Sequence, residues 1–154
     1  MRIKTLLLIA LFVGFLSGCG GNRPKVELRS TEYVFSINTS GGVQYTFENQ
    51  DILQIKLDFV FDPAIADGLD PSSEDYRSEI YRILVEGAHL YFDNQEMSLQ
   101  YGYWPEKAGR STASEMTLFY LLPEGHNPDL IQFVYDGEVL GDEGEGLAMM
   151  LNPD

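Results

Sequence analysis

The clearest regularity in the chain is an alternation. Leu53, Ile55, Leu57, Phe59 and Phe61 take turns with Gln54, Lys56, Asp58 and Val60, the period of a strand with one face on a core. Tyr33, Phe35 and Ile37 alternate likewise, and Ser40-Gly41-Gly42 then offers a turn into Val43, Tyr45 and Phe47. Between Pro71 and Glu86 the period changes: Tyr76, Ile80, Ile83 and Leu84 fall at i, i+4, i+7 and i+8 and share one helical face. Ser72 followed by Asp75 approximates a capping start, so one short helix is predicted, packed on the sheet edge or across one open end.

Strand signals resume at His89-Leu90-Tyr91-Phe92, turn at Asp93-Asn94-Gln95, and continue as Met97, Leu99, Tyr101 and Tyr103, which reads as a hairpin. Pro105 to Ser114 carries glycine, basic and small hydroxyl residues and reads as an exposed loop. Met116 to Leu122 and Leu130 to Tyr135 are apolar, aromatic-rich strands. From Asp136 to Asp154 there are acidic residues and no basic one, with Gly141, Gly144 and Gly146 spacing a flexible connection. Leu147 to Leu151 then reads either as a final strand or as a frayed tail.

Many short strands and one helix predict a mainly β, antiparallel sandwich with Leu53, Ile55, Leu57, Phe59, Leu99, Tyr101, Leu118 and Phe133 in its core. The stretches Leu118-Phe119-Tyr120-Leu121-Leu122-Pro123-Glu124-Gly125 and Leu130-Ile131-Gln132-Phe133-Val134-Tyr135-Asp136-Gly137 resemble the closing strands of immunoglobulin-like domains in bacterial lipoproteins. The resemblance implies an immunoglobulin-like β-sandwich of about seven strands with a binding or accessory role. The chain departs from antibody-type domains in having no cysteine pair, and its helix is an added element.

The N-terminus has a different character. Arg2 and Lys4 precede an apolar run from Leu6 to Phe15, a secretory signal pattern. The run stops well short of the roughly 20 apolar residues a membrane-spanning helix needs. Leu16-Ser17-Gly18-Cys19 resembles the bacterial lipobox, and the resemblance implies cleavage before Cys19 and lipidation of its thiol. Cys19 is the only cysteine, and an unpaired thiol in an exported protein calls for such a role. The expected organisation is a signal peptide over 1–18, a lipidated tether over 19–25 and an acidic β-sandwich domain over 26–154. In lipoproteins of two-membrane bacteria an aspartate after the cysteine usually marks inner-membrane retention. Gly20 stands there instead, so by the same resemblance the destination is the outer membrane if the host has two membranes. In a one-membrane host it is the outer face of the cytoplasmic membrane.

The formal net charge of −14 includes Arg2 and Lys4, so removing the signal takes the mature chain to −16. Such a surface repels phosphate backbones and anionic headgroups. Nucleic acid is excluded as a partner, and covalent lipid is left to hold the protein to its membrane. An envelope protein or a glycan remains as a partner.

Candidate chemistry is sparse. His89 and His126 are the only histidines, and the sequence has no Gly-x-Ser-x-Gly elbow, phosphate-binding glycine loop or dinucleotide fingerprint. Asp62, Asp67 and Asp70, with Glu74 and Asp75 close behind, supply hard oxygens of the kind calcium takes. Pro71-Ser72-Ser73 equally begins the helix, where acids favour the positive end of the dipole. No other cofactor is suggested. By alternation Trp104 shares the parity of Ser98 and Gln100 and points to solvent, where its ring could stack on a sugar or anchor a partner; the other reading folds it over the end of the domain. The functional expectation is a membrane-anchored, noncatalytic binding or envelope-accessory module. The alternative is an envelope hydrolase whose site assembles from distant loops.

Overall fold

The alternation from Leu53 onward becomes β4 (Gln50–Val60), the strand on which the domain is built. The computed structural model describes residues 23–104 and 113–153; Cys19, the signal pattern and most of the loop expected over Pro105 to Ser114 lie outside them. On one side β4 pairs with β1 (Lys25–Val34), and on the other with β8 (Ala113–Pro123). Between β1 and β4 a small hairpin is inserted, β2 (Ile37–Asn38) and β3 (Gln44–Tyr45). The chain then runs through the helix α1 (Glu74–Glu86), β5 (Ala88–Phe92), β6 (Gln95–Met97), β7 (Leu99–Tyr103), β8, β9 (Ile131–Tyr135) and β10 (Leu147–Met150).

Two four-stranded antiparallel sheets result, ordered β1-β4-β8-β7 and β10-β9-β5-β6. With the hairpin set aside, this is the A-B-E-D and G-F-C-C′ order of an immunoglobulin-like sandwich. The protein is thus mainly β and antiparallel, with a single α-helix among the described residues. The inner faces share one core: Leu53, Ile55, Leu57 and Phe59 of β4 and Met116, Leu118, Tyr120 and Leu122 of β8 meet Leu90, Phe133 and Tyr135 of the other sheet. No disulfide bridges the sheets; the Phe59 and Tyr135 rings meet there, centroids 5.2 Å apart. Burying each such side chain contributes about 1.5–3 kcal/mol, enough for core burial alone to hold a domain of this length.

Helix α1 closes the end at which β4 finishes. Ser73, not Ser72, is its cap and accepts from the Tyr76 amide at 3.0 Å, while the Ser72 hydroxyl donates to Asp70. Tyr76, Ile80 and Leu84 enter the core as their spacing predicts, and the Tyr135 hydroxyl donates to the Leu84 carbonyl at 2.7 Å. Asp93 and Asn94, both at positive φ, make the two-residue turn of the β5–β6 hairpin.

Three expectations are corrected. Met97 to Tyr103 is not one strand: at Ser98 the chain leaves the second sheet and enters the first. Strand β1 stops at Val34, so Phe35 drops out of the alternation and is 98% exposed. The glycines near the C-terminus form a tight crossing and not a flexible connection: a Cβ on Gly144 would collide with the Gly137 carbonyl, and one on Gly146 with that of Tyr135. That crossing delivers β10 to its place beside β9.

Candidate functional site

A β-bulge reverses the expected geometry at the end of β7. Leu99 opposes Tyr120, but Tyr101 opposes Phe119, so two steps on β7 match one on β8. The extra residue shifts the side-chain parity. Tyr101 therefore leaves the main core and packs with Ile37, Ile52 and Phe119 on the outer face. Tyr103 also turns outward and is 38% exposed, while Trp104 turns inward and is 7% exposed. The Trp104 indole N–H donates to the Ser114 hydroxyl and the ring stacks on Tyr81, with centroids 6.5 Å apart. The solvent-facing aromatic of this segment is Tyr103; Trp104 covers the end of the core beside α1.

The acidic cluster is also dispersed. Asp62 caps a short 3-10 turn by accepting from the Ala64 amide at 2.9 Å. Asp70 accepts from the Ser72 amide and hydroxyl, and these bonds hold its carboxyl below the usual carboxylate range. Asp67 is exposed at the end of the same turn. Asp62 instead lines an open groove with Glu138, Asp142 and Glu143. Among the described residues no three His, Cys, Asp or Glu side chains are grouped to hold a metal ion, so the expected calcium ligands are not brought together. Asp62 and Asp70 are used locally because an aspartate beside a turn caps the nearest free amide.

The two histidines have separate fates. His89 donates from Nδ1 to Glu96 across the exposed β5–β6 hairpin at 2.6 Å. His126, in the β8–β9 connection, closes the end of the sandwich opposite α1. Its Nδ1 lies 2.9 Å from the Pro123 carbonyl and 3.2 Å from Asp51, both acceptors, so Nδ1 carries the proton. Nε2 then accepts from the Tyr33 hydroxyl at 2.6 Å. Burial first, and the Asp51 carboxylate second, push the Tyr33 phenol above its ordinary pKa. An acid, an imidazole and a hydroxyl in line have the connectivity of a proton relay. Here Nε2 is occupied, Phe92 packs edge-on against the ring, and the His126 side chain is only 3% exposed. The ring acts as a plug.

The outer face of the β1-β4-β8-β7 sheet is different in kind. The β2–β3 hairpin folds over it and buries Ile37 against Ile52 and Phe119. Its turn, closed by the Gly42 amide on the Thr39 carbonyl at 2.9 Å, is held beside Gln54, Thr117 and Tyr103. An open groove of about 300 Å³ runs between them. Around the hairpin Phe35, Val43 and Tyr45 are exposed. Alternation missed this surface because its parts come from separate strands. One signal was available: no residue from Tyr33 to Phe47 carries a charge, in a chain rich in acids. Set against known protein families, curated proteins and solved structures, the chain matches none.

Proposed function

We propose that the protein is a bacterial lipoprotein, cleaved before Cys19 and anchored through lipid on that cysteine, whose immunoglobulin-like domain is a noncatalytic binding module of the cell envelope. The anchor rests on Arg2, Lys4, the apolar run and Leu16-Ser17-Gly18-Cys19. Two or three acyl chains on one cysteine make a stable attachment, where a single chain makes only a marginal one. With Gly20 following, the destination in a two-membrane host is the outer membrane.

The binding role is carried by one observation: on an otherwise acidic molecule the uncharged stretch from Tyr33 to Phe47 leaves Phe35, Val43 and Tyr45 exposed in and beside the hairpin, and the groove under its turn is uncharged and carries the exposed Tyr103. Exposed apolar groups gathered on one face mark interaction sites. Strand β1 begins at Lys25 opposite Val60 and runs to Val34 opposite Ile52, a rise of about 30 Å. A tether of the few residues from Cys19 to Lys25 reaches at most about 20 Å. The α1 end is thus the membrane-proximal one in this reading, and Phe35 faces away from the lipid. The alternative, an envelope hydrolase, would draw on Asp51, His126 and Tyr33; the closed imidazole disfavours it.

Two measurements test the proposal. Fractionation of cells should find wild type with the membranes and Cys19→Ser released; a membrane-bound variant refutes the anchor. Affinity capture from the cells' own envelope with lipidated wild type and with Tyr45→Ala/Tyr103→Ala should retain a protein or glycan that the variant loses. Identical capture by both refutes the binding surface.

A further inference from the structure

We infer that the groove between the β2–β3 turn and the outer face of β4, β8 and β7 binds a neutral saccharide. This rests on the binding-module reading and names its ligand class. The groove takes amide or hydroxyl groups from Asn38, Ser40, Gln54 and Thr117, and aromatic rings from Tyr103 and Phe119. None of its lining residues is charged, although the mature chain stands at −16.

A pyranose ring has an apolar C–H face and a rim of hydroxyls that both donate and accept. Amides and hydroxyls answer both demands, where carboxylates only accept and ammonium groups only donate. An exposed phenol ring such as Tyr103 offers an apolar face with a polar tip. Thr117 is buried, 8% exposed, and it lies on the groove and not in the core. The nearest charges offset each other: Glu32 accepts from the Gln54 amide and pairs with Lys56 at 3.4 Å. The Gln54 carbonyl oxygen is left as an acceptor. The negative field of the whole domain repels anionic glycans and leaves neutral ones. The volume, about 300 Å³, is at the small end of ligand pockets, which suits a short stretch of sugar rings entering from the side.

The test is calorimetry on the lipidated protein in a sugar-free detergent. Maltohexaose, cellohexaose and mannohexaose serve as neutral probes and hexagalacturonate as the anionic one. At least one neutral probe should saturate with Kd below about 1 mM, and Tyr103→Ala and Gln54→Ala should each weaken it by about tenfold or more. Tyr103→Phe keeps the ring and should keep most of the affinity, while Phe35→Ser, outside the groove, should leave it unchanged. A thermal melt of each variant separates lost binding from lost folding. Neutral glycan stripped from the producing cells, titrated alongside, identifies an envelope ligand if it binds tighter than the free hexasaccharides and an external one if it binds more weakly. Absence of binding by any neutral probe or the stripped glycan up to about 10 mM, equal binding of hexagalacturonate, or binding indifferent to Tyr103→Ala overturns the inference. If these fail while envelope capture still depends on Tyr45 and Tyr103, the binding-module reading stands without its saccharide.

Discussion

The Tyr81 hydroxyl lies over Gly102 and donates to its carbonyl oxygen at 3.2 Å; a Cβ on Gly102 would fall well inside contact with that hydroxyl. This is how α1 is seated on the end of β7: the strand gives up a side chain so that a helix tyrosine can reach its backbone. Gly102→Ala should therefore destabilise by about 1–3 kcal/mol through overpacking. Tyr81→Phe alone should cost about 1 kcal/mol for the lost hydrogen bond. Because the clash and the bond involve the same oxygen, the double variant should be more stable than the sum of the two losses. Urea unfolding of all four proteins measures this, and strict additivity would show that the helix is seated otherwise.

The bulge in β7 makes a second expectation. Trp104 is the only tryptophan, is buried at 7% exposure and stacks on Tyr81. Its fluorescence should be blue-shifted in the folded protein and move to the red on unfolding. Trp104→Ala should cost about 3–5 kcal/mol, as core aromatics do. A cost within about 0.5 kcal/mol, the range of ordinary surface changes, would mean that Trp104 faces solvent after all.

The same bulge marks the boundary of what the sequence made legible. The faces of β4 and α1 could be read directly, since a period of 2 or 3.6 is written in consecutive residues and each element has one continuous buried face. Parity along β7 could not, because the extra residue between Leu99 and Tyr101 exists only relative to β8. Nor does Ser98 carry any local sign that the chain changes sheets there. For the candidate groove the difficulty is distance: Asn38, Gln54, Tyr103 and Thr117 become neighbours only when three strands and the hairpin are in place. The acids after β4 failed for the opposite reason. Their closeness in sequence suggested a shared ligand, but Asp62 and Asp70 each meet a turn amide first.

His126 should matter for stability more than its loop position suggests. Its ring closes the end of the sandwich and supplies the acceptor for the Tyr33 hydroxyl. His126→Ala removes both, and leaving one half-buried hydroxyl unpaired costs about 1–3 kcal/mol before any cavity is counted. Asp51→Asn should be milder, under about 1 kcal/mol, because Asp51 is more exposed and the Pro123 carbonyl still accepts from Nδ1. Denaturant titrations that rank the two variants equally would contradict the plug.

The last expectation concerns alkaline pH. Burial is the leading cause that raises the phenol pKa values of Tyr33, Tyr76, Tyr81, Tyr120 and Tyr135 above the ordinary 10.0. For Tyr120 the burial is costly in itself, since its hydroxyl has no hydrogen-bond partner among the described residues. A group whose folded pKa is raised contributes stability that is complete below its unfolded pKa and is lost as pH rises through the folded value. The melting temperature should thus show no loss from these tyrosines below about pH 9 and fall above about pH 10. Tyrosinate absorbance followed in the same samples should rise for Tyr120 and Tyr135 only together with loss of the folded signal. Tyr120→Phe should be neutral or stabilising at neutral pH, because it deletes an unpaired hydroxyl, and should lessen the alkaline loss. If all the tyrosines ionise while the protein remains folded, these side chains are not packed as the two sheets and α1 require.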